Sequence, residues 1–296
     1  MPYIGEISAL ITAILWAGTA IVFTEATKIV GSYVVNITRL ILATFYLVFI
    51  ILIFNFQFLI SWEQIYLLGL SGIVGLAFGD GFLFKAFQYI GARLSMLVMT
   101  LSPPLAAFFA YIYLGESLSN WGIIGIVITI FGVSLVVLKR SEQPSNDYKK
   151  NNLGYFFAFL GALGQAANLI LAKEAFQLGE INAFVATFYR MVPSIPFMYL
   201  LGSIYRRKRN SIKILKSRKD ALRLIIIGSI IGPFLGITFS LLAITNTKVG
   251  IAATLMATVP IIMLPLIKYY YKEKLSVLSI VGAFIAVIGI AVLFLK

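Results

Sequence analysis

The sequence predicts an all-α integral membrane protein whose chain crosses the bilayer ten times. Of its 296 residues, 60% are apolar and only 12% are charged, whereas soluble domains average about 45–50% apolar and about 25% charged residues. The apolar residues form ten long runs, close to the roughly 20 residues that span the hydrocarbon core. These runs lack the alternating pattern of membrane-spanning strands, so we predict that each one is a helix.

The ten predicted spans follow one another through mostly short connections. The first begins near the N-terminus without the basic residues that precede the apolar core of a cleaved signal peptide, so we expect it to be retained. Two connections, 139–152 and 204–221, are longer, polar and basic. In chain order the predicted spans are 4–24, 33–54, 65–89, 93–113, 119–138, 153–173, 182–203, 222–244, 249–270 and 275–295.

The chain repeats itself after five spans. Matching pairs at a spacing of 157 residues are Gly75 and Gly232, Met99 and Met256, Pro103 and Pro260, and Glu116 and Glu273. An odd number of spans per repeat inverts the second copy in the bilayer, an architecture whose substrate site lies at the midplane. We therefore predict two inverted five-helix repeats, 1–138 and 153–296, joined by the linker 139–152. Glu116 and Glu273 should then lie at opposite membrane faces.

Several motifs occur in a distinctive order. The first helix carries Trp16 in ILWAG, the second carries Arg39 in TRL, and the fourth carries SPPLAAFFAYIYLGESLS at 102–119. The corresponding segment of the second half is VPIIMLPLIKYYYKEKLS at 259–276. In these motifs and their doubling, nearly the whole chain resembles the ten-helix EamA form of the drug/metabolite transporter superfamily. The resemblance implies an exporter of amino acids, drugs or other metabolites and fixes no single substrate.

Asp80 is the deepest acid in the predicted spans, where a charge costs at least ~2.5–3.5 kcal/mol. Its counterpart in the second half is Ile237, so the repeat does not require it. A buried carboxyl group can carry a proton near neutral pH, and we predict that Asp80 is the coupling residue if transport is driven by protons. The alternative is that Asp80 is a structural partner of Arg39.

Two arginines, Arg39 and Arg190, also lie inside predicted spans and correspond to each other at a spacing of 151 residues. We predict that one or both face a substrate carboxylate. The alternative is a mirrored pair of structural contacts, from Arg39 to Glu25 and from Arg190 to Glu174. Uncharged residues at similar depth, which need partners from another helix or a substrate, complete the predicted binding site: Trp16, Thr19, Asn36, Gln165, Asn168 and Tyr189.

These residues predict a secondary transporter that exports a small polar metabolite such as an amino acid by alternating access. One alternative is an exchanger of phosphorylated metabolites or nucleotide sugars, which would favour more cavity cations. Another is an integral membrane enzyme, but the chain has no cysteine and no histidine, and we find no catalytic dyad or metal site. We expect no cofactor, no metal and no nucleic-acid partner. Membrane lipids and a small-molecule substrate are the expected partners of a monomer or weak homodimer.

The basic residues indicate an orientation in the cell membrane. The odd-numbered loops contain 19 Lys and Arg residues, nine of which lie between Arg206 and Arg223. The even-numbered loops and the termini together contain 3. Loops rich in Lys and Arg remain cytoplasmic. We therefore expect cytoplasmic odd loops and non-cytoplasmic termini, although members of the resembled family are more often drawn with cytoplasmic termini.

A pair of C-terminal fusions tests this orientation. We expect an alkaline phosphatase fusion to be active and a green fluorescent protein fusion to be dark, because the enzyme folds outside the cytoplasm and the fluorescent protein inside it. Replacing the nine basic residues of 206–223 by glutamine should weaken the preference. An inactive phosphatase fusion together with a fluorescent green fluorescent protein fusion would show that the C-terminus is cytoplasmic and would contradict this prediction.

Overall fold

The computed structural model describes residues 3–113, 115, 119–138, 152–204, 211–247, 249–272 and 275–293, and these residues form helices joined by short connections, without a strand. Residues Glu116 and Glu273 and most of the linker 139–152 lie outside it. In chain order the elements are α1 (Ile4–Val30), α2 (Ser32–Ile53), α3 (Trp62–Gly72), the π-helix π1 (Ile73–Gly79), α4 (Asp80–Met99), α5 (Ser102–Tyr113), α6 (Asn120–Leu138), α7 (Asn152–Gln177), α8 (Ala183–Ile204), α9 (Ser211–Ser217), α10 (Lys219–Ser229), the π-helix π2 (Ile230–Gly236), α11 (Ile237–Asn246), α12 (Val249–Met256), α13 (Val259–Tyr270) and α14 (Val277–Leu293).

Long apolar helices make the chain a multi-pass membrane protein. Within the described residues, eight helical segments are long and apolar enough to cross a bilayer, and Val277–Leu293 is a shorter apolar helix. One segment, Trp62–Met99, has 38 residues and covers the third predicted span and the start of the fourth. It is interrupted at Gly91, where φ is 73° and ψ is 173°, a backbone conformation that favours glycine. Each predicted span overlaps a helix, and the count of ten crossings stays a prediction.

The basic connection 204–221 differs from the sequence-based expectation, because it contains the short helix α9 and the start of α10. In α9, Ile214 and Leu215 pack against the hydrophobic core, whereas Lys213 and Lys216 are exposed. Burial of the two apolar side chains explains why a polar connection folds as a helix against the bundle.

Backbone irregularities recur at the spacing of the sequence repeat. The π-helix π2 begins and ends 157 residues after π1, at 230 against 73 and at 236 against 79. The break between α12 and α13, from 256 to 259, likewise follows the break between α4 and α5, from 99 to 102, by 157 residues. The two halves therefore share local backbone geometry as well as sequence landmarks.

Helices α6 and α14 pack antiparallel through small residues. A methyl group placed on Gly125 would lie 2.2 Å from the backbone nitrogen of Leu293, and one on Gly132 would lie 2.5 Å from that of Ala286. Because the contact positions increase along α6 while they decrease along α14, the two helices run in opposite directions. Such close approach of backbones is the usual basis of helix association in membranes.

The first helix of each half packs against the π-helix of the other half. In the first contact, α1 lies on π2, and a methyl group on Gly232 would lie 2.6 Å from Cγ2 of Thr19. In the second, α7 lies on π1, and a methyl group on Gly75 would lie 2.7 Å from Cγ of Asn168. These paired contacts bring polar residues of α1 and α7 to the centre of the bundle.

Alanine substitutions test the close packing of α6 on α14. We expect Gly125→Ala to destabilise the protein by about 1–3 kcal/mol, because the added methyl group overpacks against the backbone. Gly18→Ala is the matched control, since its methyl group would meet nothing nearer than Ile231 Cδ1 at 3.9 Å. Thermal unfolding in detergent, followed by tryptophan fluorescence, measures both. Equal melting temperatures for the two variants would contradict the packing.

Candidate functional site

A cavity of about 230 Å³ lies at the centre of the bundle, between the paired contacts of α1 with π2 and α7 with π1. Both halves of the chain contribute to its wall. Trp16 and Thr19 from α1 face it together with residues of α12 and α13, and apolar side chains cover much of the remaining surface. The predicted site residues that line it are Trp16, Thr19, Arg39, Asp80, Gln165, Asn168 and Arg190.

Asp80 and Arg39 form a buried ion pair in the cavity wall. The Nη2 atom of Arg39 donates to Oδ2 of Asp80 at 2.5 Å, and its Nε donates to Oδ1 of Asn36 at 2.9 Å. The guanidinium carbon also lies 4.6 Å from the ring centroid of Phe84 and 5.9 Å from that of Phe23. Arg39 is thus held by charge, hydrogen bonding and cation–π contact together.

Two amides extend this ion pair across the cavity. The Nε2 atom of Gln165 donates to Oδ1 of Asp80 at 2.7 Å. The Nδ2 atom of Asn168 donates to Oε1 of Gln165 at 2.8 Å, and Nη2 of Arg190 donates to Oδ1 of Asn168 at 2.5 Å. A continuous hydrogen-bonded chain therefore connects the arginine of the first half with the arginine of the second.

Arg190 is less completely satisfied than Arg39, although only 5% of its surface is exposed. Its Nε atom has no hydrogen-bond partner, and no carboxylate pairs with it in the part of the chain that the structure describes. An incompletely paired guanidinium beside a cavity can still donate to a ligand.

Two predicted site residues lie outside the cavity wall. Asn36 is fully buried and supports Arg39, while its Nδ2 donates to the backbone oxygen of Leu76 at 3.0 Å. Tyr189 directly precedes Arg190, so its side chain is rotated by about 100° around the helix. Its hydroxyl donates to the backbone oxygen of Phe58 at 3.2 Å. Their predicted contacts with substrate have no support from this geometry.

The mirrored pairs of Arg39 with Glu25 and of Arg190 with Glu174 are not the contacts that form. Glu25 instead accepts from Nζ of Lys28 at 3.0 Å and from the hydroxyl of Tyr271 at 2.5 Å. The depth of Glu25 in the membrane is compatible with a contact to Arg39. Arg39 lies near the ring of Phe23, however, and Glu25, two residues further along α1, faces a different direction. The contact between Asp80 and Arg39, predicted as the structural alternative, is present, and the proton-carrying role of Asp80 stays a prediction.

The sequence reasoning missed several hydroxyl and thioether groups in the cavity wall. All but Ser240, which lies in α11, are close to the breaks between α4 and α5 and between α12 and α13. The matched prolines Pro103 and Pro260 mark these breaks and also line the cavity. The recurrence of Met99 and Met256 beside these breaks was a signal that could have found them. The missed residues include Met96, Met99, Thr100, Ser102, Ser240 and Met256.

A buried polar chain beside a central cavity, in a multi-pass helical protein with repeated backbone features, is typical of membrane transporters. The chain belongs to the EamA-like transporter family, which it matches over residues 3–138 and 152–295.

Two individual proteins resemble it as well. A protein of Clostridium kluyveri described as an uncharacterized transporter is 28% identical over 145 residues, which are 48% of this chain and 44% of that protein. A crystal structure described only as that of a protein is 15% identical and has a TM-score of 0.68, over 97% of this chain and 95% of its own. At that identity, the likeness shows the fold alone.

Charge removal at Asp80 tests the ion pair. We expect Asp80→Asn to destabilise the protein by about 3–5 kcal/mol, because Arg39 then remains buried without a counter-charge. Adding Arg39→Gln should restore part of the stability. The control is Asp220→Asn, since Asp220 is exposed and surface changes stay within about 0.5 kcal/mol. Strictly additive losses in the double variant, measured by thermal unfolding, would refute the coupling.

Proposed function

We propose that the protein is a secondary active transporter that exports a small polar metabolite, such as an amino acid, across the cell membrane. The central cavity, with a polar chain contributed by both halves, is the observation that carries the proposal. Arg190 would bind an anionic group of the substrate, while Gln165 and Asn168 would orient it and Trp16 would cover its apolar part.

Alternating access through two inverted five-helix repeats is part of the proposal. Support comes from α6 and α14, which correspond at a spacing of 157 residues and pack antiparallel, as helices related by a two-fold axis in the membrane plane would. Further support comes from the reciprocal contacts of Thr19 with Gly232 and of Asn168 with Gly75. Thr19 and Asn168 correspond to each other, as do the two glycines, so each half repeats the other's contact.

The size of the cavity favours a small substrate. Its volume of about 230 Å³ lies below the roughly 300–1,000 Å³ typical of pockets for drug-sized ligands. A nucleotide sugar is larger than such a space, and its phosphates would favour more cations than the two arginines in the wall. A small metabolite therefore fits the cavity better than the substrates of the alternative exchanger.

Exchange across proteoliposomes tests the role of the cavity. We expect the purified protein to exchange labelled for unlabelled substrate in a panel of small metabolites. Asn168→Ala should slow exchange about tenfold or more, because it removes the acceptor of Arg190 and breaks a charged hydrogen bond. Gln88→Ala is the control, since Gln88 donates to Thr27 at 2.8 Å and does not line the cavity. Equal rates in both variants would refute the cavity as the transport site.

A pH gradient tests proton coupling through Asp80. The double variant Asp80→Asn/Arg39→Gln removes both charges of the ion pair together, so that neither partner is left buried alone. We expect it to retain exchange and to lose accumulation driven by the gradient, because exchange needs no net proton movement. Accumulation equal to that of the wild-type protein would remove Asp80 from the coupling mechanism.

A further inference from the structure

The cavity wall holds more positive than negative charge. Among the described residues that line it, the charged ones are Arg39, Arg190 and Asp80, and together they give the wall one net positive charge. A buried charge without a counter-ion is unfavourable in a membrane protein, and an anionic ligand would cancel it. We propose that the cavity selects organic monoanions, namely carboxylates with an apolar body and no ammonium group. This choice rests on the proposed transport function but replaces the amino acid, given there as the example, with a monoanion as the preferred substrate.

Arg39 is already paired with a carboxylate of the protein. Its Nη2 is bonded to Asp80, its Nε is bonded to Asn36, and its guanidinium lies against the ring of Phe84. An anion that approached Arg39 would have to compete with the carboxylate of Asp80 at a distance of 2.5 Å. The charge of Arg39 is therefore balanced by Asp80 before any ligand binds.

The negative charge of Asp80 is likewise already paired, with Arg39. Its Oδ2 accepts from Arg39 and its Oδ1 accepts from Gln165 at 2.7 Å. No other acid lines this cavity in the part of the chain that the structure describes. The ammonium group of an amino acid would therefore enter a cavity of net positive charge without a free carboxylate to receive it.

Arg190 is the cation that remains for the ligand. It is 95% buried, since its exposed fraction is 5%, and it lines the cavity. Its hydrogen bond goes to the neutral amide of Asn168, its Nη1 makes no hydrogen bond within the described residues, and its Nε is unpaired but enclosed by protein atoms. A guanidinium offers five N–H donors in a planar fork that matches a carboxylate, so one anion would both pair its charge and occupy open donors.

The rest of the wall suits an apolar body. Trp16, Leu169, Ile244 and Met256 line the same cavity as Arg190, and burial of apolar surface contributes to binding in proportion to its area. With a monoanion bound, the charges of two arginines, Asp80 and the ligand sum to zero. A loaded cavity would thus be neutral, whereas a zwitterion would leave its positive charge uncompensated.

A matched series of ligands isolates the effect of charge. We would titrate the full chain in detergent with 3-phenylpropanoate, L-phenylalanine and phenethylamine, which share a phenyl ring on a short chain and carry charges of −1, 0 and +1. A second pair, 4-methylpentanoate and L-leucine, tests an aliphatic body. Isothermal titration calorimetry should show that the monoanion of a set binds about tenfold or more tightly than its amino acid, as expected for a charged contact, and that the amine binds least.

Variants of two buried arginines assign this preference to Arg190. Arg190→Gln should remove the preference for the monoanion, and Arg190→Lys should retain part of it. Arg93→Gln is the control, because Arg93 is also buried, donates to Oγ of Ser279 at 2.8 Å and does not line the cavity. Loss of the preference in Arg93→Gln as well would attribute the effect to general destabilisation and overturn the assignment.

The same ligands in proteoliposomes separate the two proposals. Monoanion binding without exchange of any ligand would refute transport and leave the charge selection standing. Exchange of amino acids as fast as, or faster than, the monoanions would uphold transport and overturn the monoanion selection. If neither monoanion bound, the proposed selection of monoanions would also be overturned.

Discussion

A buried arginine is stabilised by a counter-charge, and Arg39 has one in Asp80. The contact joins α2 to the start of α4 and places one carboxylate where it also accepts from Gln165 of α7. Since burial of either partner alone would be unfavourable, the three helices must pack at a defined distance and rotation. The shape of the cavity wall follows from this requirement.

Glycine residues make that packing possible. The amide side chains of α7 reach the centre because π1 presents glycines to them; the Cα of Gly79, for example, would lie 2.7 Å from a methyl group on Gly164. A larger residue at Gly164 would push α7 away from π1 and lengthen the hydrogen bond to Asp80. In a bilayer, where lipid is as apolar as the helix surface, such close contacts and buried hydrogen bonds are the main sources of helix association.

The two halves have π-helices and helix breaks at corresponding positions, but the contacts of their buried charges differ. Arg39 and Arg190 correspond in the repeat, yet Arg39 contacts an acid and Arg190 contacts an amide, because Asp80 has Ile237 as its counterpart. The arginine of the first half therefore has a counter-charge, whereas the arginine of the second half has only a neutral hydrogen-bond partner. This asymmetry is the basis for proposing that Arg190, and not Arg39, binds a ligand.

The sequence by itself determined the membrane class, the spacing of the repeat and several polar residues of the cavity wall. Long apolar runs, and the polar and charged residues inside them, can be recognised without knowing how the helices pack. Trp16, Gln165 and Asn168 were found in this way. The pairing of the charges was decided by the tertiary structure alone. Arg39 could reach Glu25 or Asp80 by depth, and only the rotation and separation of α1, α2 and α4 chose between them. The exclusion of Tyr189 from the cavity had the same cause, since neighbouring residues on a helix face different directions.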